Sequence, residues 1–286
     1  MGDAVIELLI GVLSNLLFTA ILGVGAVALS KAIWRRELRD FFGVSDPKAG
    51  AIKIRLSSMN VKPGGTTGTV LINRGYCGPA ISEIEYKYAL LLAGAIETKP
   101  ITRMLRHLIE PVARVESPLI CDIGASMPFN GEPPVDFDAM SGLVAKIEKE
   151  LSSGTSILVG GPVYNLLTSY IFGRPGSRCQ FIVERDELRR GISIKVSPGT
   201  EARDFVRQSP EQNQAGAYTE YCLLEKLAGP QGSTVFVCAG TGAGATIAAL
   251  TQLQHWKKLP NRLKRAPEFF ILYEATAQTR IKSHPS

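Results

Sequence analysis

No lysine, arginine, aspartate or glutamate occurs between Leu8 and Ser30. A charge-free helix of about 23 residues, rising about 1.5 Å per residue, is long enough for a bilayer core of about 30 Å. Basic charge gathers immediately after the run, in Lys31, Arg35, Arg36 and Arg39 around Trp34, whereas only Asp3 and Glu7 precede it. A basic flank with an interfacial Trp puts that side in the cytoplasm. The acidic N-terminal residues and the length of the run argue against a cleaved signal peptide. The missing polar face argues against a helix lying on the membrane surface. The expected organisation is a transmembrane anchor over residues 1–30, a basic juxtamembrane segment and linker over 31–50, and a cytoplasmic domain over 51–286. The partner implied first is therefore the lipid bilayer. Gly11, Asn15, Thr19 and Gly23 recur every four residues on the anchor. Such a stripe lets two helices approach closely, so a homo-oligomer through this helix is the second partner expectation.

Other scarcities narrow the chemistry. The chain has only five cysteines, Cys77, Cys121, Cys179, Cys222 and Cys238, without a Cys-x-x-Cys pair. An odd, widely spaced set fits reduced thiols in the cytosol, with Cys121 and Cys238 as core filler. His107, His255 and His284 stand alone, so no metal site is expected. A nucleophile elbow of the Gly-x-Ser-x-Gly type is absent, as is a Walker loop ending in Gly-Lys-Ser/Thr. Although the net charge is +6, no Lys/Arg stripe interleaved with aromatics exists, which argues against nucleic acid as a partner. The cluster Lys257, Lys258, Arg262, Lys264 and Arg265 reads as a solvated helix end.

The segment after the anchor carries enough apolar residues to bury a core. A short amphipathic juxtamembrane helix is predicted over Trp34–Gly43. Strands are predicted at Ala51–Ser57, Ser117–Ile123, Ser156–Gly160, Cys179–Val183, Gly191–Val196, Tyr218–Leu227, Ser233–Ala239 and Phe269–Ala275. Helices are predicted at Pro79–Ile96, Ile101–Leu108, Asp138–Leu151, Val163–Phe172 and Thr241–Trp256. Asn60–Gly78, rich in Gly, Pro and Thr, reads as a loop with a short strand at Thr69–Ile72. Strands alternating with helices predict an α/β fold with a mostly parallel sheet and helices on both faces.

Two strand–turn–helix passages carry the binding signal. In the first, an apolar strand ends at Gly240-Thr241-Gly242-Ala243-Gly244-Ala245-Thr246, where a helix opens. Glycines let backbone N–H groups approach a ligand, and a helix N-terminus favours an anion. Thr241 and Thr246 could add hydroxyl donors. The alternative is a tight turn that needs small residues for packing. In the second, Ile157-Leu-Val-Gly160-Gly161-Pro162 leads to Asn165. Asn165 is positioned either to read a ligand's base or ribose edge or to cap the helix behind it. In a parallel sheet both turns fall on the carboxyl edge, so Gly160, Gly161, Asn165, Gly240, Thr241, Gly242, Gly244 and Thr246 are expected to share one anion-binding crevice.

This pairing of a Gly-Gly-Pro-x-x-Asn turn with a later Ala-Gly-x-x-x-x-Gly/Ala-Thr turn resembles a Rossmann-like domain of uncharacterised prokaryotic proteins, some of them archaeal surface-layer outer domains. The resemblance covers about Thr155–Leu253, and Ala245 stands where that family usually has Gly. It implies a Rossmann-like fold and a ligand edge, without an activity.

A third passage opens a helix with Pro79, Glu83 and Glu85. Acidic residues there complement the helix dipole, which is a sufficient structural account. In the functional alternative Glu83 or Glu85, partnered by Asp122, would act on a sugar anomeric carbon. The leading expectation is a membrane-anchored sensor or effector whose cytoplasmic domain binds a nucleotide-like or other small anionic ligand. An enzyme acting on a nucleotide or NAD glycosidic bond, and an interaction module without a small ligand, are the alternatives.

Overall fold

The computed structural model describes residues 2–47, 50–57, 59–61, 66–67, 70–71, 78–97, 111–116, 141–162, 165–174, 179, 181–186, 191–196, 205–208, 219–276 and 282–283. The chain divides into two compact units, Met1–Pro47 and Lys48–Ser286.

The first unit is one uninterrupted helix, α1 (Gly2–Phe42). The separate juxtamembrane helix expected after the apolar run is instead its continuation. No Gly or Pro lies between Ala26 and Phe42 to break the hydrogen-bond ladder. Gly43, at φ 73°, stops it. Its N–H donates to Arg39 O at 3.0 Å, and the Val44 N–H donates to Leu38 O at 3.4 Å. These bonds satisfy carbonyls of the last turn, as glycine C-caps do. The helix is long and apolar enough to cross a membrane. Along residues 12–29 its apolar side chains are open to the surroundings, Leu13 at 64% and Phe18 at 63% exposure, whereas Leu38, Phe41 and Phe42 in its last turns are buried. Thr19 Oγ1 donates to Asn15 O at 2.8 Å, so that hydroxyl is used within the helix itself.

The second unit is built on a seven-stranded sheet. Its strands are β1 (Ile52–Arg55), β6 (Ala113–Glu116), β7 (Thr155–Val159), β11 (Thr219–Ala228), β12 (Thr234–Gly240), β13 (Phe269–Thr276) and β14 (Lys282–Ser283). The spatial order is β14-β13-β11-β12-β7-β1-β6. β6, β1, β7 and β12 are mutually parallel, with Ile54 opposite both Val115 and Ile157, and Cys238 opposite Val159. All five residues of β7 are buried, as expected for a parallel strand covered on both faces. On one face Leu158, Val235 and Val237 pack with Ile147 and Leu151 of α3 (Ser141–Ser152) and Leu167, Tyr170 and Ile171 of α4 (Leu166–Gly173). On the other, α5 (Ala243–Gln254) packs on β11 and β12 and against α2 (Glu83–Glu97).

β11 departs from the expected parallel pattern. It runs antiparallel to both β12 and β13. The reason is connection length: Gly229–Ser233 reverses the chain in a tight turn, with Gln231 at φ 54°, whereas a parallel neighbour would need a crossover of a dozen or more residues. Helix α2 also starts later than predicted, because Gly78–Ala80 forms strand β5 paired with β2 (Met59–Val61). β4 (Val70–Leu71) lies within the short strand expected at Thr69–Ile72, and its partner β3 (Thr66–Thr67) falls in the segment read as a loop. A three-stranded antiparallel sheet joins β8 (Phe181–Asp186), β9 (Gly191–Val196) and β10 (Phe205–Val206). β6 has no counterpart among the predicted strands. The predicted helix at Ile101–Leu108 and strand at Ser117–Ile123 lie outside the described residues.

Candidate functional site

Among the four parallel strands, chain order runs β1, β6, β7, β12, but spatial order runs β6-β1-β7-β12. After β6 the chain therefore crosses back over β1 to place β7 on its other side. The carboxyl ends of β1 and β7 are the point where the order reverses, and open α/β sheets bind ligands outside such a point.

Asn165 joins those two ends. Its Nδ2 donates to Val159 O at 2.8 Å and to Arg55 O at 3.3 Å. Its Oδ1 accepts from the Leu167 and Thr168 N–H groups at 3.0 and 3.3 Å. One buried side chain thus caps α4 and ties β1 to β7, with both donors and the acceptor in use. Of the two roles open from sequence, the cap is the one its bonds serve.

Below this joint Arg55 is 2% exposed. Its Nη1 lies 2.6 Å from Glu116 Oε2 and its Nη2 2.7 Å from Glu150 Oε2. Burial alone would push the Glu150 carboxyl up, but the hydrogen bond and charge of Arg55, with Lys53, outweigh it and hold the carboxyl below its ordinary value. The cation keeps β1 attached to β6 and to α3.

Ser57, two residues beyond Arg55, donates its hydroxyl to Glu85 Oε2. Both residues are buried, at 5% and 8% exposure. Burial pushes the Glu85 carboxyl above its ordinary value, and the Ser57 bond partly offsets this. Beside the pair stands Gly160, at φ 96°. A Cβ there would meet Ser57 Cβ at 2.9 Å, so glycine is required by both backbone and space. Of the acidic candidates, Glu85 is at this joint, Glu83 is exposed on the surface of α2, and Asp122 lies outside the described residues.

The glycine turn after β12 is on the same edge. Gly160 N–H donates to Cys238 O at 2.9 Å, and a Cβ at Gly161 would stand 4.0 Å from Gly240 O. The two turns expected to be neighbours are neighbours. The groups in the second turn are engaged by the chain itself. Thr241 is fully buried; its N–H donates to Tyr221 O and its Oγ1 accepts from Tyr221 N–H, each at 2.9 Å. Thr246 Oγ1 donates to Gly242 O at 3.3 Å. The anion at the N-terminus of α5 is Glu220, whose Oε2 accepts from the Ala245 N–H at 3.0 Å and whose Oε1 lies 3.0 Å from Arg207 Nη2. A Cβ on Gly242 or Gly244 would stand 2.0 or 2.9 Å from the Glu220 carboxylate, so these glycines admit that side chain. At Gly240 a Cβ would meet Ala245 Cβ at 2.4 Å and backbone at 2.9 Å, which is a packing requirement. Ser57, Arg55 and Glu220 are not marked as site residues by the sequence. Ser57 could have been found as the polar residue ending an alternating strand, whereas nothing local marks Glu220.

These contacts separate the glycines. Gly240→Ala pushes on fixed backbone and should destabilise by about 1–3 kcal/mol. Gly242→Ala displaces only the end of Glu220 and should cost no more than about 1 kcal/mol. Thermal unfolding of the full chain in detergent reads both; equal losses would show that Gly242 also serves backbone packing. Glu85 gives a pH signature. A carboxyl whose folded pKa is raised binds its proton more tightly folded, so its folded-state advantage is complete at low pH and is lost as pH rises above the ordinary value of 4.5. Glu85→Gln, which keeps a hydrogen-bonding group without the charge, should therefore raise Tm at pH 7, and the gain should vanish below about pH 4. A gain that persists at low pH would assign it to something other than the buried charge. Compared with known proteins, the chain matches no family model, no curated protein and no solved structure.

Proposed function

We propose that this protein is a membrane-anchored sensor or effector. Its N-terminal helix would sit in the bilayer, with the basic flank and the α/β domain on the cytoplasmic side. The domain would bind a nucleotide-like or other small anionic ligand at the carboxyl ends of β1 and β7. The observation that supports this reading is the buried Ser57–Glu85 pair beside the left-handed Gly160, at the point where the strand order reverses. A hydroxyl–carboxyl pair suits sugar hydroxyls, and a strand-to-helix turn without side chains allows a phosphate close to backbone. The sheet order β6-β1-β7-β12 is compatible with a Rossmann-like domain. Because Glu220 already neutralises the α5 N-terminus, an anion at Gly242 would have to displace it, which places the ligand nearer Gly160 and Gly161. Ligand binding would be transmitted by changing how anchors associate through the Gly11, Asn15, Thr19 and Gly23 stripe.

A second reading is favoured by one observation, the burial of the Glu85 carboxyl against Ser57 at this edge, which pushes its proton affinity up. There Glu85 would act on the glycosidic bond of a nucleotide or NAD, as proton donor or as the group facing the anomeric carbon.

Thermal shift of the full chain in detergent, against a panel of nucleotides with inorganic phosphate as control, tests the proposal. A ligand at about 100 times its Kd should raise Tm by roughly 5 °C or more. Ser57→Ala and Glu85→Gln should each remove most of the shift. A panel without any shift, or a shift intact in both variants, contradicts the proposed site. Release of a free base in the same samples would favour the second reading.

A further inference from the structure

The sheet has a second edge, opposite the candidate site. β1 enters it at Ile52, level with Thr155 of β7 and, across β7, Thr234 of β12. Gly50 and Ala51, which lead into β1, therefore lie at the amino edge, with the Gly50 N–H donating to Pro111 O at 2.9 Å. α5 leaves the carboxyl edge behind β12 and runs back, which returns the chain to the amino edge at its end. There it forms a 3-10 turn, Trp256–Lys258, and a short helix, α6 (Asn261–Arg265), before β13 begins at Phe269. β1 and β13 are four strand positions apart, or about 19 Å at about 4.8 Å per strand.

This segment is strongly basic and held in shape. Lys257, Lys258, Arg262 and Arg265 are exposed. The sole acidic residue between Gln254 and Phe269 is Glu268. Trp256 is buried at 2% exposure and Leu259 at 5%, which pins the turn to the domain. Lys257 Nζ lies 5.3 Å from the Trp256 ring centre, and Lys264 Nζ donates to Lys257 O at 3.2 Å. With Trp256 buried, the segment offers no exposed aromatic on which a nucleic-acid base could stack.

We infer that the surface formed by Lys257, Lys258, Arg262 and Arg265 docks on anionic lipid headgroups of the membrane that holds α1. The inference rests on reading α1 as a bilayer anchor. Charge complementarity and position support it together. A basic surface attracts anionic lipid within about a Debye length, about 8 Å at physiological salt. A tether arriving at the same edge keeps that surface at high effective concentration near the lipid. Docking by this edge would leave the carboxyl edge, with Ser57, Glu85 and Gly160, facing the solution.

The test uses the full chain in lipid nanodiscs of phosphatidylcholine alone or with about 30 mol % phosphatidylserine. Hydrogen exchange of amides 256–266 should slow by about fivefold or more in the anionic discs, the effect of roughly one cation's attraction to the surface. About 0.5 M KCl should cancel the difference. The combined variant Lys257→Gln, Lys258→Gln, Arg262→Gln and Arg265→Gln should exchange equally in both discs while the amides of β11 and β12 keep their wild-type protection. Equal exchange of the wild type in both lipids overturns the inference. So does anionic protection retained in the variant, and so does protection by a single-stranded RNA in place of lipid. Co-elution with the discs reports insertion separately: a chain that fails to insert overturns the anchor reading and this inference with it, whereas insertion with equal exchange overturns the docking alone.

Discussion

The α/β domain depends on the Asn165 side chain. A parallel sheet whose order reverses has a gap between the carboxyl ends of the two strands at the reversal, where the connections depart in opposite directions. Backbone carbonyls left there need partners, because an unpaired buried acceptor costs about as much as a lost hydrogen bond. Asn165 supplies both donors to the Arg55 and Val159 carbonyls while its oxygen caps α4. Aspartate could cap the helix equally well but has no N–H for the two carbonyls. Once β1 and β7 are joined in this way, Ser57 and Gly160 are brought side by side, and Glu85 of α2 closes on Ser57.

The edge of the sheet then divides into two kinds of ground. Around β12 the chain satisfies itself: Thr241 and Tyr221 exchange backbone and side-chain bonds, and Glu220 serves as the anion for α5. A helix N-terminus supplied with its own carboxylate gains the dipole interaction that a bound phosphate would otherwise provide. Between β1 and β7 the arrangement is different. A carboxyl is kept buried there against its preference for water, a cost that a purely structural joint could avoid with an amide. Buried groups with perturbed proton affinity, set in the crevice of an α/β sheet, are candidates for function on physical grounds.

Local pattern carries much of this into view. The charge-free run declares a helix able to cross a membrane, and the apolar runs at β7 and β12 followed by glycine turns declare strands leading into helices on one edge. Gly160 stands out in sequence for the right feature, a turn that needs glycine. Local pattern cannot carry anything that depends on a partner far along the chain. The reversal of β11 is decided by the short Gly229–Ser233 connection, which periodicity does not register. Glu220 reaches α5 only because the β11–β12 hairpin places it there. Ser57 and Glu85 meet across the chain through the packing of α2 on the sheet. The glycines after β12 look like a cradle for a foreign anion because sequence cannot reveal that a carboxylate of the same chain fills it.

Whether the β1–β7 joint is a site for the proposed nucleotide-like ligand is measured most directly by hydrogen exchange of the full chain in detergent, with and without saturating NAD or ATP. Binding at the joint should slow exchange at residues 55–57, 83–86 and 159–161 and leave 243–246 unchanged, because Glu220 stays on the Ala245 N–H. Slowing confined to 241–246, with no change at 55–57, would contradict the account and return the ligand to the glycine turn that Glu220 occupies.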